Sequence, residues 1–165
     1  MDKIGLLYRC STKECKTVRW DKTEVRVRVK KFYKGSKRWK KEVSKILLES
    51  GVEPEKKYQY HVYKLKMSGE LKPRANRLDG EKVYIGQTGL HPYQRYLHHI
   101  LGYQTTRVSN TYELASDLIG FHGPYYRTDI KDAEKTISVE LHMLGSEVYG
   151  DGLPLDLQKE RDQKN

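Results

Sequence analysis

Two tyrosine-bearing runs, Tyr58–Leu65 (YQYHVYKL) and Lys82–Gln87 (KVYIGQ), most constrain what this chain can fold into. Both alternate in the period-two manner of a strand. The polar stretch from Met67 to Gly80, punctuated by Gly69, Pro73 and Gly80, reads as a long loop joining them into an antiparallel hairpin. Alternation sends Val62 and Ile85 to one face and leaves Tyr63 and Tyr84 together on the other. Thr88-Gly89 breaks the second strand, and Pro92 suits the first turn of a helix running to about Leu101. On that helix Tyr93, Tyr96, Leu97, Ile100 and Leu101 make an apolar stripe, while Arg95 and His99, four residues apart, share a face expected to turn away from it.

The rest of the chain follows the same rules. A helix is expected over roughly Thr111–Ile119, a third strand over Tyr125–Ile130, and a last helix, capped by Asp132, over about Ala133–Leu144. In that last helix Ala133, Ile137, Leu141 and Leu144 form the expected buried stripe, and Glu140 lies beside it, where a carboxylate needs a reason. The tail from Leu155 is polar and is expected to be loose. Cys10 and Cys15 lack the second ligand pair that a zinc site wants, so two reduced thiols are expected. No apolar run approaches the roughly 20 residues a membrane helix requires, and the start Met1-Asp2-Lys3-Ile4 lacks a secretory stretch, which points to the cytoplasm.

Charge divides the chain. Residues 1–60 hold 18 Lys/Arg against 8 Asp/Glu, whereas the remaining residues hold 14 of each, so the whole net charge of +10 lies in the first third. Such a concentrated basic segment is the footprint of a polyanion partner. Within it, Val25, Val27 and Val29 interleave with Arg26, Arg28 and Lys30, which reads as one arm of a hairpin over Thr17–Tyr33. A helix from about Lys37 to Ser50 follows, stopped by Gly51 and Pro54. Arg26, Arg28, Lys30 and Lys31 of the hairpin, with Lys37, Arg38, Lys40 and Lys41 of the helix, are the residues expected to grip a phosphate backbone. The chain is thus expected to be α+β: a small three-stranded antiparallel sheet flanked by helices, with a basic β-hairpin and helix added at the N-terminus. The segments are 1–57 (the basic elaboration), 58–150 (the core) and 151–165 (the tail).

Taken singly, a strand tyrosine is usually packing and a helical glutamate is usually on the surface. In order, however, His61-Val62-Tyr63, then Tyr84-Ile85-Gly86-Gln87-Thr88-Gly89, then Arg95 and His99, then Glu140, this chain resembles the GIY-YIG nuclease superfamily over about residues 58–150. His61 stands where that family has its first glycine, and Tyr149-Gly150-Asp151 lies near the place of a common asparagine. The resemblance implies an endonuclease that hydrolyses DNA phosphodiesters. Tyr63 would be the general base, Tyr84 would orient water or phosphate, and Arg95 would clamp the phosphate beside His99. Glu140 would hold one Mg²⁺, for which Mn²⁺ can substitute. Glu134, at the start of the same helix, is the other candidate ligand. Cutting both strands would call for two copies of the chain, and the short tail suits a stand-alone, restriction-like or phage-like enzyme. His91, His98 and His122 read as loop or surface residues and His142 as structural. The rival reading keeps the fold and the basic segment but has no catalysis: a nucleic-acid-binding protein, to which Arg95 and Glu140 would be dispensable.

Overall fold

The computed structural model describes residues 2–12, 15–53, 59–67, 82–104 and 115–163. The expected loop after Met67 therefore lies almost wholly outside the described residues, as does the first part of the helix expected over Thr111–Ile119. Seven strands form one sheet: β1 (Asp2–Ile4), β2 (Leu7–Arg9), β3 (Val18–Trp20), β4 (Tyr60–Met67), β5 (Lys82–Thr88), β6 (Ala115–Tyr125) and β7 (Glu147–Tyr149). Their order across the sheet is β1-β2-β3-β6-β4-β5-β7. Every pairing is antiparallel except that of β5 with β7, which is parallel. Five helices accompany the sheet among the described residues: α1 (Lys22–Val29), α2 (Lys37–Glu49), α3 (Pro92–Ile100), α4 (Ile130–Met143) and α5 (Leu155–Gln163). None of them is long and apolar enough to cross a membrane.

This overturns the small three-stranded sheet. The hairpin of tyrosine strands stands, but it is the middle of a larger mixed sheet. The N-terminal third supplies three strands to that sheet rather than a basic hairpin beside it. Val25–Val29 is a helix because Asp21 caps it, accepting from the Glu24 amide at 3.1 Å. Val25 and Val29, four apart, are the valines it buries, and Val27 stays exposed. Residues 115–119, expected in a helix, belong to β6, and the third strand ends at Tyr125 where it was expected to begin. There β3 and β4 flank the chain on either side, and ladder pairing outweighs local preference. The tail expected to be loose contains α5, whose Leu157 packs partly buried against the core under α4.

The sheet separates two clusters. On one face Leu7, Val18, Trp20, Tyr63, Leu65, Tyr84 and Leu118 meet the buried sides of α1, α2 and α3. On the other, Val62, Val83, Ile85 and Val148 meet α4, which packs chiefly over β4, β5 and β7. The N-terminal strands are tied to the core by polar contacts as well. Arg19 donates to both Asp117 carboxylate oxygens at 2.6 and 3.1 Å, and the Trp20 indole donates to the Tyr93 carbonyl at 3.0 Å. Cys10 and Cys15 form a disulfide with a Cα separation of 5.7 Å, not two reduced thiols. The β2–β3 pairing explains their meeting: Arg9 faces Val18, and the Cys10 amide donates to the Thr17 carbonyl.

Candidate active site

The central strand β4 places Tyr63 opposite Gly86 of β5. A Cβ at position 86 would sit 2.4 Å from the Tyr63 hydroxyl oxygen and 2.5 Å from Cζ, so the tyrosine ring lies across its neighbour strand only because that neighbour has no side chain. From above, α3 brings His99 to the ring. Its start is fixed by His91, whose Nδ1 accepts from the Tyr93 amide, and by Pro92 at the first position. The Tyr63 hydroxyl and His99 Nε2 are 2.8 Å apart. Tyr84 completes a triangle of rings, with centroids 6.2 Å from Tyr63 and 5.4 Å from His99.

The Arg95/His99 face was expected to turn away from the apolar stripe. Instead His99 is fully buried against the sheet, and His98 is buried as well, beside Trp39 and Tyr103. Only an uncharged imidazole is cheap to bury in this way. Burial, with the charge of Arg95 and with His98 nearby, lowers His99 to about 3. Burial, then Arg95 and Lys40, lowers His98 to about 4. The Tyr63 phenol is pushed well above its ordinary range, first by burial and then by Tyr84. Arg95 opposes this with its charge and a hydrogen bond to the hydroxyl, while the charge of Glu134 adds to it. The Arg95 guanidinium also donates to the Gln104 carbonyl at 2.9 Å.

Of the two glutamates on α4, Glu134 is the one whose charge bears on Tyr63. It is 5% exposed. Glu140 is exposed and its charge acts on His122 of β6. Six residues of helix turn one about 240° from the other. The apolar pattern misleads here because full burial on α4 falls at Ile130, Glu134 and Ser138. Ala133, Ile137 and Leu141 are only partly buried, and Leu144 is 81% exposed. Polar residues four apart on the buried side of a helix were the available signal.

Glu134 lies with α4 on the opposite face of the sheet, and its charge is the weakest of these influences on Tyr63. The parallel pairing of β7 involves only Lys82–Tyr84 of β5, so it stops two residues short of Gly86. After β7 the chain turns at Gly150, which has φ +116° and presses on the Ile85 carbonyl, and Gly152 then packs on the Glu134 side chain. Burial raises the Glu134 carboxyl to about 7, the neighbouring Asp151 adds to the rise, and the Gly152 amide and Lys131 oppose it. Next to this point a cavity of about 360 Å³ is lined by Tyr60, Gln87, Thr88, Arg127 and Lys131.

Among the described residues no three His, Cys, Asp or Glu side chains gather as metal ligands. Glu134, buried, and Asp151, exposed, are nonetheless two carboxylates whose charges act on one another, and Mg²⁺ is commonly held by one or two carboxylates with water and substrate phosphate completing its shell. The Glu134 rise comes first from burial, and a divalent cation beside it would favour the charged carboxylate, so these two oxygen donors suit such an ion.

The expected grip residues Arg26, Lys30, Lys31, Lys37, Arg38, Lys40 and Lys41 are exposed, on or next to α1 and α2. Arg28 is not presented in this way. Its guanidinium joins α1 to α2 by donating to Glu42 at 2.8 Å and to Glu49. His142 lies 3.6 Å from Glu160. Comparison of the chain with protein-family models, with curated proteins and with solved structures gives no match in any of the three.

Proposed function

We propose that this chain is a metal-dependent DNA endonuclease with the chemistry of the GIY-YIG superfamily it resembles. The observation that carries the reading is the 2.8 Å contact between the Tyr63 hydroxyl and His99 Nε2, with Tyr84 and Arg95 beside it and the charge of Glu134 acting on the same hydroxyl. With a pKa of about 3, His99 is neutral at working pH, so Nε2 can accept the hydroxyl hydrogen of Tyr63. Because His99 is so weak a base, it orients the Tyr63 hydroxyl rather than taking its proton; Tyr63 would act on an attacking water as the phenolate, which burial disfavours and Arg95 favours. Arg95, always protonated, holds the phosphate oxygens and favours charge on the Tyr63 oxygen. Tyr84, whose ring centroid lies 5.4 Å from that of His99, would orient water or phosphate through its hydroxyl. Glu134, with Asp151 beside it, takes the metal-holding role that the resemblance had given to Glu140. A bound Mg²⁺ or Mn²⁺ would supply Lewis acidity at the leaving oxygen. Because the Glu134 carboxyl must lose its proton to serve, metal affinity rises with pH through about 7.

The test is cutting of supercoiled plasmid with Mg²⁺ by wild type, Glu134→Ala, Glu140→Ala and EDTA-treated protein. Metal-dependent cutting that survives Glu140→Ala and is lost in Glu134→Ala is expected, and discrete fragments would make the enzyme restriction-like. The non-catalytic binder is favoured by one observation: Tyr63 is 1% exposed and its burial holds the phenol protonated. Plasmid binding without cutting in Mg²⁺ or Mn²⁺ would establish that reading and end the nuclease proposal.

A further inference from the structure

A second cavity, of about 530 Å³, opens between α1, the turn that follows it and the end of α3. It lies outside the catalytic group and joins the N-terminal third to the helix that carries Arg95 and His99. Its floor is apolar and partly aromatic, made by Val29, Phe32, Trp39 and Ile100. Its rim holds Arg26, Lys30 and Lys34, and no acidic side chain among the described residues lines it. Arg26 donates to the Ile100 carbonyl and Lys34 to the Gly102 carbonyl, both at 3.5 Å, and neither has a carboxylate partner among the described residues. An apolar floor under an all-cationic rim is complementary to a ligand with a flat apolar body and an anionic end. The volume is enough for one nucleotide and too small for a duplex, which measures about 20 Å across with grooves of about 12 and 6 Å.

We propose that this cleft takes one unpaired nucleotide of a DNA strand, its base against Phe32 and the floor and its phosphates on Arg26, Lys30 and Lys34. The inference rests on the nucleic-acid part of the functional reading and not on catalysis. It gives the basic segment a role beyond general attraction. Duplex held by backbone contacts alone is gripped regardless of base, whereas a base in a cleft adds stacking that depends on its presence.

The experiment is fluorescence anisotropy of the full chain in EDTA, with a labelled thymidine decamer and a fully abasic decamer carrying the same number of phosphates. Wild type is expected to bind the thymidine strand about tenfold more tightly, the scale of one base–aromatic stack. In Phe32→Ala, and separately in Val27→Glu at the mouth, where Val27 is 61% exposed and tolerates change, the ratio is expected to fall towards one. Equal binding of the two strands by wild type would overturn the inference, as would a ratio that both variants retain when their melting temperatures show them folded. Failure of the nuclease reading looks different: base-dependent binding would persist while plasmid is never cut.

Discussion

On the α3 side of the sheet, Tyr63 and His99 are buried as neutral groups that satisfy one another at 2.8 Å, and three rings pack around the contact. On the α4 side, Glu134 is buried to a similar degree, and its carboxyl is held up to about 7, first by burial and then by the charge of the exposed Asp151. One half of the site is complete as it folds; the other carries an electrostatic penalty that a cation would remove. Buried polar groups that satisfy each other stabilise a fold, whereas a buried carboxyl with a raised pKa is held in its neutral form by its surroundings. The first half is rigid because of packing, the second poised because of charge.

The comparison can be broken most decisively at the carboxylate. Glu134→Ala is expected to reduce plasmid cutting by roughly 10³-fold, comparable with losing a preorganised charge partner, while Glu140→Ala stays within about twofold in the same nicking assay. Tyr63→Phe keeps the ring and loses the oxygen. A drop of about 10²-fold in the single-turnover rate is expected, with DNA binding retained in EDTA; binding lost along with rate would mean that the α3 side is structural only. Gly86→Ala attacks the packing half, since its Cβ would overlap the Tyr63 hydroxyl. Urea unfolding should show destabilisation of about 1–3 kcal/mol. Glu134→Gln sharpens the other half. The folded carboxyl keeps its proton up to about 7, while the unfolded chain releases it near 4.5, so wild-type stability falls as pH rises through that window. The glutamine variant is therefore expected to be more stable than wild type at pH 8, by on the order of 2 kcal/mol, and to match it at or below pH 4.5. Equal melting at pH 8 would remove the electrostatic contrast. Asp151→Asn, the smallest change, should move the pH midpoint of metal-dependent cutting to lower values, because it withdraws one cause of the Glu134 shift.

The parts of this arrangement that were legible in the sequence are those set by local rules. Tyr63 and Tyr84 share a face because alternation requires it, and α2 and α3 start where Ser36 and Pro92 allow. What could not be read depends on partners distant in sequence. Val25, Val27 and Val29 suit a strand by period, yet two of the three also lie four apart, and the core under α1 chose that reading. The placement of β6 is decided by β3 and β4, which lie about 100 and 50 residues upstream. The resemblance points to Glu140 before Glu134 because Met143 and Leu144 follow Glu140 at three and four residues; that Glu134 and Ser138 occupy the buried side of α4 depends on how the helix docks. Arg28 was read as a phosphate contact because Glu42 and Glu49 are 14 and 21 residues away, on a helix whose docking no periodicity reveals.

The insertion of β3 alongside β6 has a consequence for the exposed edge of the sheet. Without the N-terminal strands, β6 would offer a row of unsatisfied amides and carbonyls along the flank of the sheet, and Leu118 would lose Val18 as its neighbour. Such a bare flank recruits the strands of other molecules. In the intact chain the outermost strand is instead β1, three residues long, fully exposed and carrying Asp2 and Lys3, which is a poor template for further pairing. The basic third of the chain thus also covers a strand flank, and a fragment beginning near residue 58 is expected to aggregate more readily than the whole chain.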